Sequence, residues 1–347
     1  MRAMKYRFSR DIYKYSFLFL STGFKRFSYV KVKFFEKKPH FACHFFKFFA
    51  STRKVVIKNN PACYIEFYLM TITYEEFKPT AGLAPYVECY WVQSFSGAPG
   101  EVSPVQRCLP LGMLEVIIHV DENIADILEN GQAGQLPRAF FHGIYNNPVY
   151  WKIKSNARLF GIRFRPETFS LLFNVPAASL YSRFVCLEQF LGKEVIGLHR
   201  PLYGAKDSAS MVAHCDSFLS KRLSDPELQY NYFTAAADII RNTKGNISIE
   251  EVSNSISVSM RQLQRSFKEN LGTTPKGYLR IIRFRNAFSA LQSEHEWADI
   301  AYDLGYADQA HFIREFREFA GDAPKSVVRN AEHFLKRPVA FTDSIFL

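Results

Sequence analysis

The stretch LGYADQAHFIREF (304–316) decides the fold of the C-terminal part of this chain. Gly305 follows an apolar run and suits a tight turn. Asp308 is the right residue type to cap a new helix, because its carboxylate can accept the first free backbone N–H groups. Over 309–319 the residues Phe312, Ile313, Phe316 and Phe319 recur at helical spacing and form one apolar side. Ala310, His311, Arg314, Arg317 and Glu318 lie opposite, and Gly321 can end the helix. Taken alone, such a segment reads most simply as an amphipathic helix with a solvated polar face.

A second copy upstream changes that reading. At a shift of 49 residues Leu263 matches Phe312, Arg265 matches Arg314, Phe267 matches Phe316 and Lys268 matches Arg317. Glu269/Glu318, Gly272/Gly321, Pro275/Pro324 and Lys276/Lys325 continue the match. Upstream, Val252/Ile300 and Ile256/Leu304 match at a shift of 48, so the second turn is one residue longer. Each copy is a short helix, a turn and a longer helix ending in Gly and Pro: a helix-turn-helix twice over. In the first copy Ser248 and Glu251 form a capping box opening helix 249–256, and Ser259 can cap helix 260–271. Leu263, Phe267, Leu271 and Met260 make its core side; Arg261, Gln262, Arg265 and Glu269 face away, with Gln264 on the shoulder. Between the copies GYLRIIRFRNAFSALQS (277–293) reads as a helix of about 25 Å. It turns Tyr278, Ile281, Ile282, Phe284 or Arg285, Phe288 and Leu291 inward. Such a spacer can hold two second helices roughly one DNA turn, about 34 Å, apart. Arginine and glutamine pair bidentately with guanine and adenine edges in the major groove, so two equivalent Arg-bearing faces point to DNA reading.

Residues 231–332 resemble the DNA-binding domain of AraC/XylS-type transcriptional regulators. GYADQAHFIREFREFAGDAP (305–324) carries the strongest likeness, and SIEEVSNSISVSMRQLQRSFKENLGTTPKGYL (248–279) matches the first unit. The resemblance implies base contacts by Arg261, Gln264 and Arg265 from one helix and by Gln309, His311 and Arg314 from the other. Phosphate contacts are expected from Lys276, Arg283, Arg317, Lys325 and helix N-termini. One departure stands out: Ser257 occupies the first turn where Gly is usual. If that position needs a positive φ, serine costs of order 1 kcal/mol.

The middle of the chain reads differently. Residues 86–95, 114–120, 138–145, 149–154 and 157–164 are short runs rich in β-branched and aromatic residues, separated by turn residues. They predict a mainly-β barrel or sandwich, followed by helices over 167–173, 187–199 and 207–223 and a polar linker over 223–231. In the last helix Met211, Val212, Cys215, Phe218, Leu219 and Leu223 form one stripe. LAPYVECYWV (83–92), RCLPLGMLEVIIHV (107–120) and FGIRFRPETFSLLFNVPAASL (160–180) resemble the AraC-type N-terminal sensing domain of one subfamily. The implied fold is therefore α+β and multidomain: a sensing domain over 70–224, a double helix-turn-helix domain over 231–332 and a tail over 333–347. A sensing domain implies a small effector in an apolar cavity, with Trp91, His119 and His142 as the lining candidates, beside Trp151, Arg163 and Arg165. For each of these, a packed or surface role is the simpler reading. His119 and His142 as metal ligands have no His-x-His pair behind them.

Charge is unevenly spread. The formal net charge is +11, yet residues 1–69 alone hold 15 Lys/Arg against 3 Asp/Glu, so the excess says little about DNA. This first stretch is also crowded with Phe. Its apolar run 16–24 is too short to span a bilayer. It reads as a basic membrane-surface arm, a folded extension or translation from an upstream start, the last favoured because Met70 opens a more ordinary composition. Six scattered cysteines form no C-x-x-C pair and no zinc spacing, as in a reducing cytoplasm. AraC-type helices also occur fused to DNA-repair alkyltransferases, but that chemistry needs clustered thiols on zinc. There is no phosphate loop or nucleophile elbow. The expectation is a bacterial cytoplasmic regulator with no enzyme activity, no cofactor and no membrane span. Its partners are a double-stranded operator, RNA polymerase if it activates, and a small effector or a second copy of itself. The competing reading is an interaction module with vestigial DNA contacts.

Overall fold

The computed structural model describes the backbone of residues 5–9, 12–20, 26–34, 56–58, 64–129, 132–173, 177–203, 205–223, 231–291 and 297–329. Side chains are described from residue 72 on, those of 171, 328 and 329 excepted. Most of the expected linker 223–231, and the tail 333–347, lie outside the described residues.

Fourteen strands are described: β1 (Lys5–Ser9), β2 (Ile12–Leu20), β3 (Arg26–Phe34), β4 (Val56–Lys58), β5 (Tyr64–Phe77), β6 (Val87–Ser96), β7 (Gln106–Cys108), β8 (Leu114–His119), β9 (Asp126–Glu129), β10 (Gln132–Gln135), β11 (Ala139–His142), β12 (Val149–Lys152), β13 (Ala157–Phe164) and β14 (Phe184–Cys186). They form two antiparallel sheets. The larger runs β1-β2-β3-β5-β6-β13-β8-β11-β14, with β4 on β5; the smaller runs β10-β9-β12-β7. The strand β5 crosses the boundary expected at Met70 and pairs with β3 on one side and β6 on the other.

Of the two expected β architectures, the structure takes the open sandwich; among the described residues no sheet closes into a barrel. The reason lies in β13. Its residues are buried on both faces, as in a strand covered from both sides rather than one facing solvent. Ala157 and Leu159 face the smaller sheet, where Phe95 and Trp151 meet edge-on at 5.6 Å. Phe160, Ile162 and Phe164 face helices on the opposite side. A second expectation is also corrected: Gly192, at φ 51°, breaks the segment expected as one helix over 187–199.

The helices are α1 (Pro166–Phe173), α2 (Glu188–Leu191), α3 (Glu194–His199), α4 (Ser208–Arg222), α5 (Tyr232–Asn242), α6 (Ile249–Ser255), α7 (Met260–Leu271), α8 (Pro275–Ala290), α9 (Trp297–Asp303), α10 (Gln309–Ala320) and α11 (Pro324–Arg329). Met211, Cys215 and Leu219 of α4 are buried, as their spacing requires. One continuous apolar cluster runs from Phe160 and Phe164 through α1 and α4 into Phe267, Phe284, Phe312 and Phe316 of the C-terminal helices. The two halves therefore share a core.

Candidate DNA-reading surface

Two helix-turn-helix units flank α8. In the first, Ser248 and Glu251 form the expected capping box on α6, with Glu251 N–H donating to Ser248 Oγ at 3.1 Å. The turn 256–259 then leads to α7. In the second, α9 and the turn 304–308 lead to α10, so the extra residue lies where the repeat placed it. Asp308 accepts from His311 N–H at 2.6 Å, and both long helices end on a glycine at φ 74°. Helix α8 opens two residues earlier than expected because Thr274 caps it and Pro275 occupies its first turn. Phe284 and Arg285 are both buried, which resolves the ambiguous inward position.

The two turns differ at one residue. Ser257 has φ 54° and Gly305 has φ 68°, so both turns use the left-handed region. A Cβ at Gly305 would also lie 2.1 Å from Asn246 Oδ1, so a side chain there would have to displace the Asn246 amide. The Asn246 amide donates to the Asp303 carbonyl at 3.1 Å and braces the second turn.

The expected base-contacting side chains gather on two exposed faces. Arg261, Gln264 and Arg265 are exposed on α7; Gln309 and Arg314 are exposed on α10, with His311 half-buried beside them. The side chain of Gln262, on the same side of α7, closes a capping box with Ser259. Arg265 is pre-oriented by Glu269 one turn on, at 2.7 Å. Lys276, Arg317 and Lys325 are exposed around the two faces. Arg283 is placed otherwise. Its guanidinium donates twice to the Gly245 carbonyl, at 3.1 and 3.0 Å, and stacks over the Tyr306 ring. It clasps the two units together instead of standing outward.

Two supporting groups had no signal in the sequence. Arg280 of α8 reaches α10 and bonds Glu315 at 2.6 Å and Glu318 at 2.5 Å. Glu315 is buried, so this pair sets the rotation of α10 about its axis. The Tyr306 ring packs edge-on against His311 and Phe312. These contacts join residues far apart in sequence, which helical periodicity does not link.

Of the effector candidates, Trp91, His119, His142 and Trp151 line a cavity of about 40 Å³ between the two sheets; Arg163 and Arg165 do not. Trp91 donates to Glu115 at 3.1 Å and stacks on Tyr74. Arg163 is fully buried and pairs with Glu115 at 3.1 Å and Glu76 at 3.3 Å. His119 uses both ring nitrogens: Ala125 N–H donates to Nε2 at 3.0 Å, and Nδ1–H donates to the Arg138 carbonyl at 3.1 Å. Burial pushes its pKa down to about 4, so it is neutral at pH 7. His142 is stacked between Tyr145 and Phe184, each 4.3 Å away. Trp151 donates to Cys108 Sγ. Gln93 is buried on the same cavity, and its Nε2 has no hydrogen-bond partner among the described residues. Burial raises the thiols of Cys89 and Cys215, which disfavours thiolate chemistry at either.

Comparison with known proteins gives two family matches. Residues 252–330 match a family described as a helix-turn-helix domain, and residues 75–185 match one described as a domain of unknown function, DUF6597. The HTH-type transcriptional activator RhaS of Escherichia coli O157:H7 is 33% identical over 91 residues, which is 26% of this chain and 33% of the relative. The chain thus spans about a third of the length of the curated relatives it matches. Among solved structures, an AraC-type regulator from Chromobacterium violaceum is 26% identical, over 31% of this chain and 95% of that one, at a TM-score of 0.27. ToxT from Vibrio cholerae is 14% identical, over 67% of this chain and 98% of that one, at a TM-score of 0.38.

Proposed function

We propose, from the premise that the helical part of this chain is an AraC-type helix-turn-helix domain, that the protein is a DNA-binding transcription regulator. It reads a bipartite operator with α7 and α10 in successive major grooves. The carrying observation is the repeated exposed face: Arg265 and Arg314 occupy equivalent positions on two helices, each opened by a side-chain cap (Ser259, Asp308) and ended on a left-handed glycine. Arg261, Gln264 and Arg265 read one half-element; Gln309, His311 and Arg314 read the other. Lys276, Arg317, Lys325 and the N-terminal turns of the helices meet phosphates. The balanced charge of the C-terminal part keeps non-specific affinity modest, so these local contacts carry the docking.

The N-terminal sandwich is the seat of control, through a small effector between the sheets or through pairing of two copies. As it stands, the inter-sheet cavity is too small for an effector, so binding there requires the sheets to part. If the protein activates, RNA polymerase is its further partner.

The test is the affinity of Arg265→Ala and Arg314→Ala for a selected operator, read by fluorescence anisotropy at fixed salt. Each is expected to lose about 1–3 kcal/mol of specific binding, with non-specific affinity little changed. Unchanged operator affinity in both would favour a module with vestigial DNA contacts.

A further inference from the structure

We infer that the N-terminal domain is a caliper: it grips the far end of each reading helix and so fixes the spacing between the half-elements. This rests on the bipartite reading above and goes beyond it, because it assigns spacing specificity to residues outside the helix-turn-helix units.

The grip falls on the same repeat position twice. At the end of α7, a Cβ on Gly272 would lie 2.7 Å from Tyr181 Cβ and 3.1 Å from the Ala178 carbonyl. At the end of α10, a Cβ on Gly321 would lie 2.8 Å from Tyr150 Oη and 3.0 Å from Pro148 Cγ. Here the contact is also polar. Arg107 Nη1 donates to the Ala320 carbonyl at 2.9 Å, and its guanidinium lies over the Tyr150 ring. A cation on the last carbonyls of a helix is favourably placed. Arg107 and Tyr150 are register partners on β7 and β12, so this jaw is built on a sheet and not on a loose loop.

The two jaws are one rigid piece. The chain from Pro148 back to β11 is tied to the turn carrying Tyr181 by Ser182 N–H donating to the Ile144 carbonyl at 2.8 Å. Gly143 N–H donates likewise to the Arg183 carbonyl at 3.3 Å. Pairing of β11 with β14 continues that tie, with His142 opposite Phe184. Its stacked ring thereby acts as a keystone between the jaws. Between them, Gly112 of the N-terminal domain packs against Ile281 and Ile282 of α8. Arg261, Arg265, Gln309 and Arg314 are exposed and lie in the first half of their helices, away from the gripped ends, so the grip and the DNA-bound state are compatible.

The full chain, with the duplex it selects from random DNA, provides the test. Affinity is measured at the selected spacing and with one base pair inserted or removed between the half-elements. The wild type is expected to lose about tenfold or more on either change. In Arg107→Met that penalty falls to about twofold, with affinity at the selected spacing reduced less, and Arg107→Lys restores part of it. A full spacing penalty in Arg107→Met, or an equal loss at all three spacings, overturns the caliper. Should Arg107→Met not fold, Pro148→Gly, on the partly exposed tip of the same jaw, is read in the same way. A wild type that binds a bipartite site with no spacing preference overturns the caliper alone. A wild type that selects no bipartite site removes the reading it rests on.

Discussion

Ser257 and Gly305 occupy the same left-handed turn position in the two units, at φ 54° and 68°. Only one of them is free of the Cβ penalty of that conformation. Ser257→Gly is expected to stabilise the protein by up to about 1 kcal/mol, since relief of strain exceeds the extra entropy of a glycine in the unfolded chain. Urea denaturation would show it as a higher midpoint at constant slope. The reverse change, Gly305→Ser, should cost more, because Asn246 already fills the space a side chain would need. His119 carries a pH prediction. Its folded pKa of about 4 lies below the ordinary value of 6.5. Between those values the unfolded chain binds a proton that the folded chain does not, so stability falls as pH drops from 6.5 to 4. The loss is up to about 3 kcal/mol. Thermal melts across that window should flatten in His119→Gln, which lacks the titrating group; an unchanged slope would contradict the assignment. At this scale the sequence was informative where chemistry is local. Caps at Ser248, Ser259 and Asp308 and ends at Gly272 and Gly321 were legible because each acts within four residues of itself. The partners of Arg283 were not, nor was the Arg138 carbonyl that meets His119, because they come from distant loops.

Elements were legible in proportion to their periodicity. The strand at 157–164 and the helix at 260–271 have the bounds read from pattern alone. The short strands β7, β9, β10 and β14 were missed, since three or four residues give no alternation to detect. Element orientation was likewise hidden. Helix α10 is turned by Arg280 through buried Glu315 and more exposed Glu318. Arg280→Ala removes the partner of a buried carboxylate and is expected to destabilise the protein by about 1–3 kcal/mol. Affinity for the half-element proposed for α10 should fall more than for the one proposed for α7. Equal losses at both would mean that Arg280 serves general stability and not helix rotation.

The whole molecule is held together by more than the apolar core. Arg285 of α8 pairs with Glu88 of β6, and Arg241 of α5 pairs with Glu167 of α1; both pairs are buried across the domain junction. Burial alone would raise the Glu88 carboxyl, yet Arg285, with Arg163 and Arg241 behind it, holds it below the usual range. Glu88→Gln leaves a buried guanidinium without its counter-charge and is expected to cost about 3–5 kcal/mol. Calorimetry should then resolve two transitions where the wild type shows one. None of this junction could be read from the sequence, which placed a linker at 223–231 and implied two separable domains. The repeat, in contrast, was visible before any fold, and it carries the functional reading. That reading is tested most directly by selecting bound sites from random DNA with the wild type, Arg265→Ala and Arg314→Ala. Two half-elements one helical turn apart are expected, with Arg265→Ala relaxing preference only in one and Arg314→Ala only in the other. A single short element, or loss of the same base positions in both variants, would contradict it.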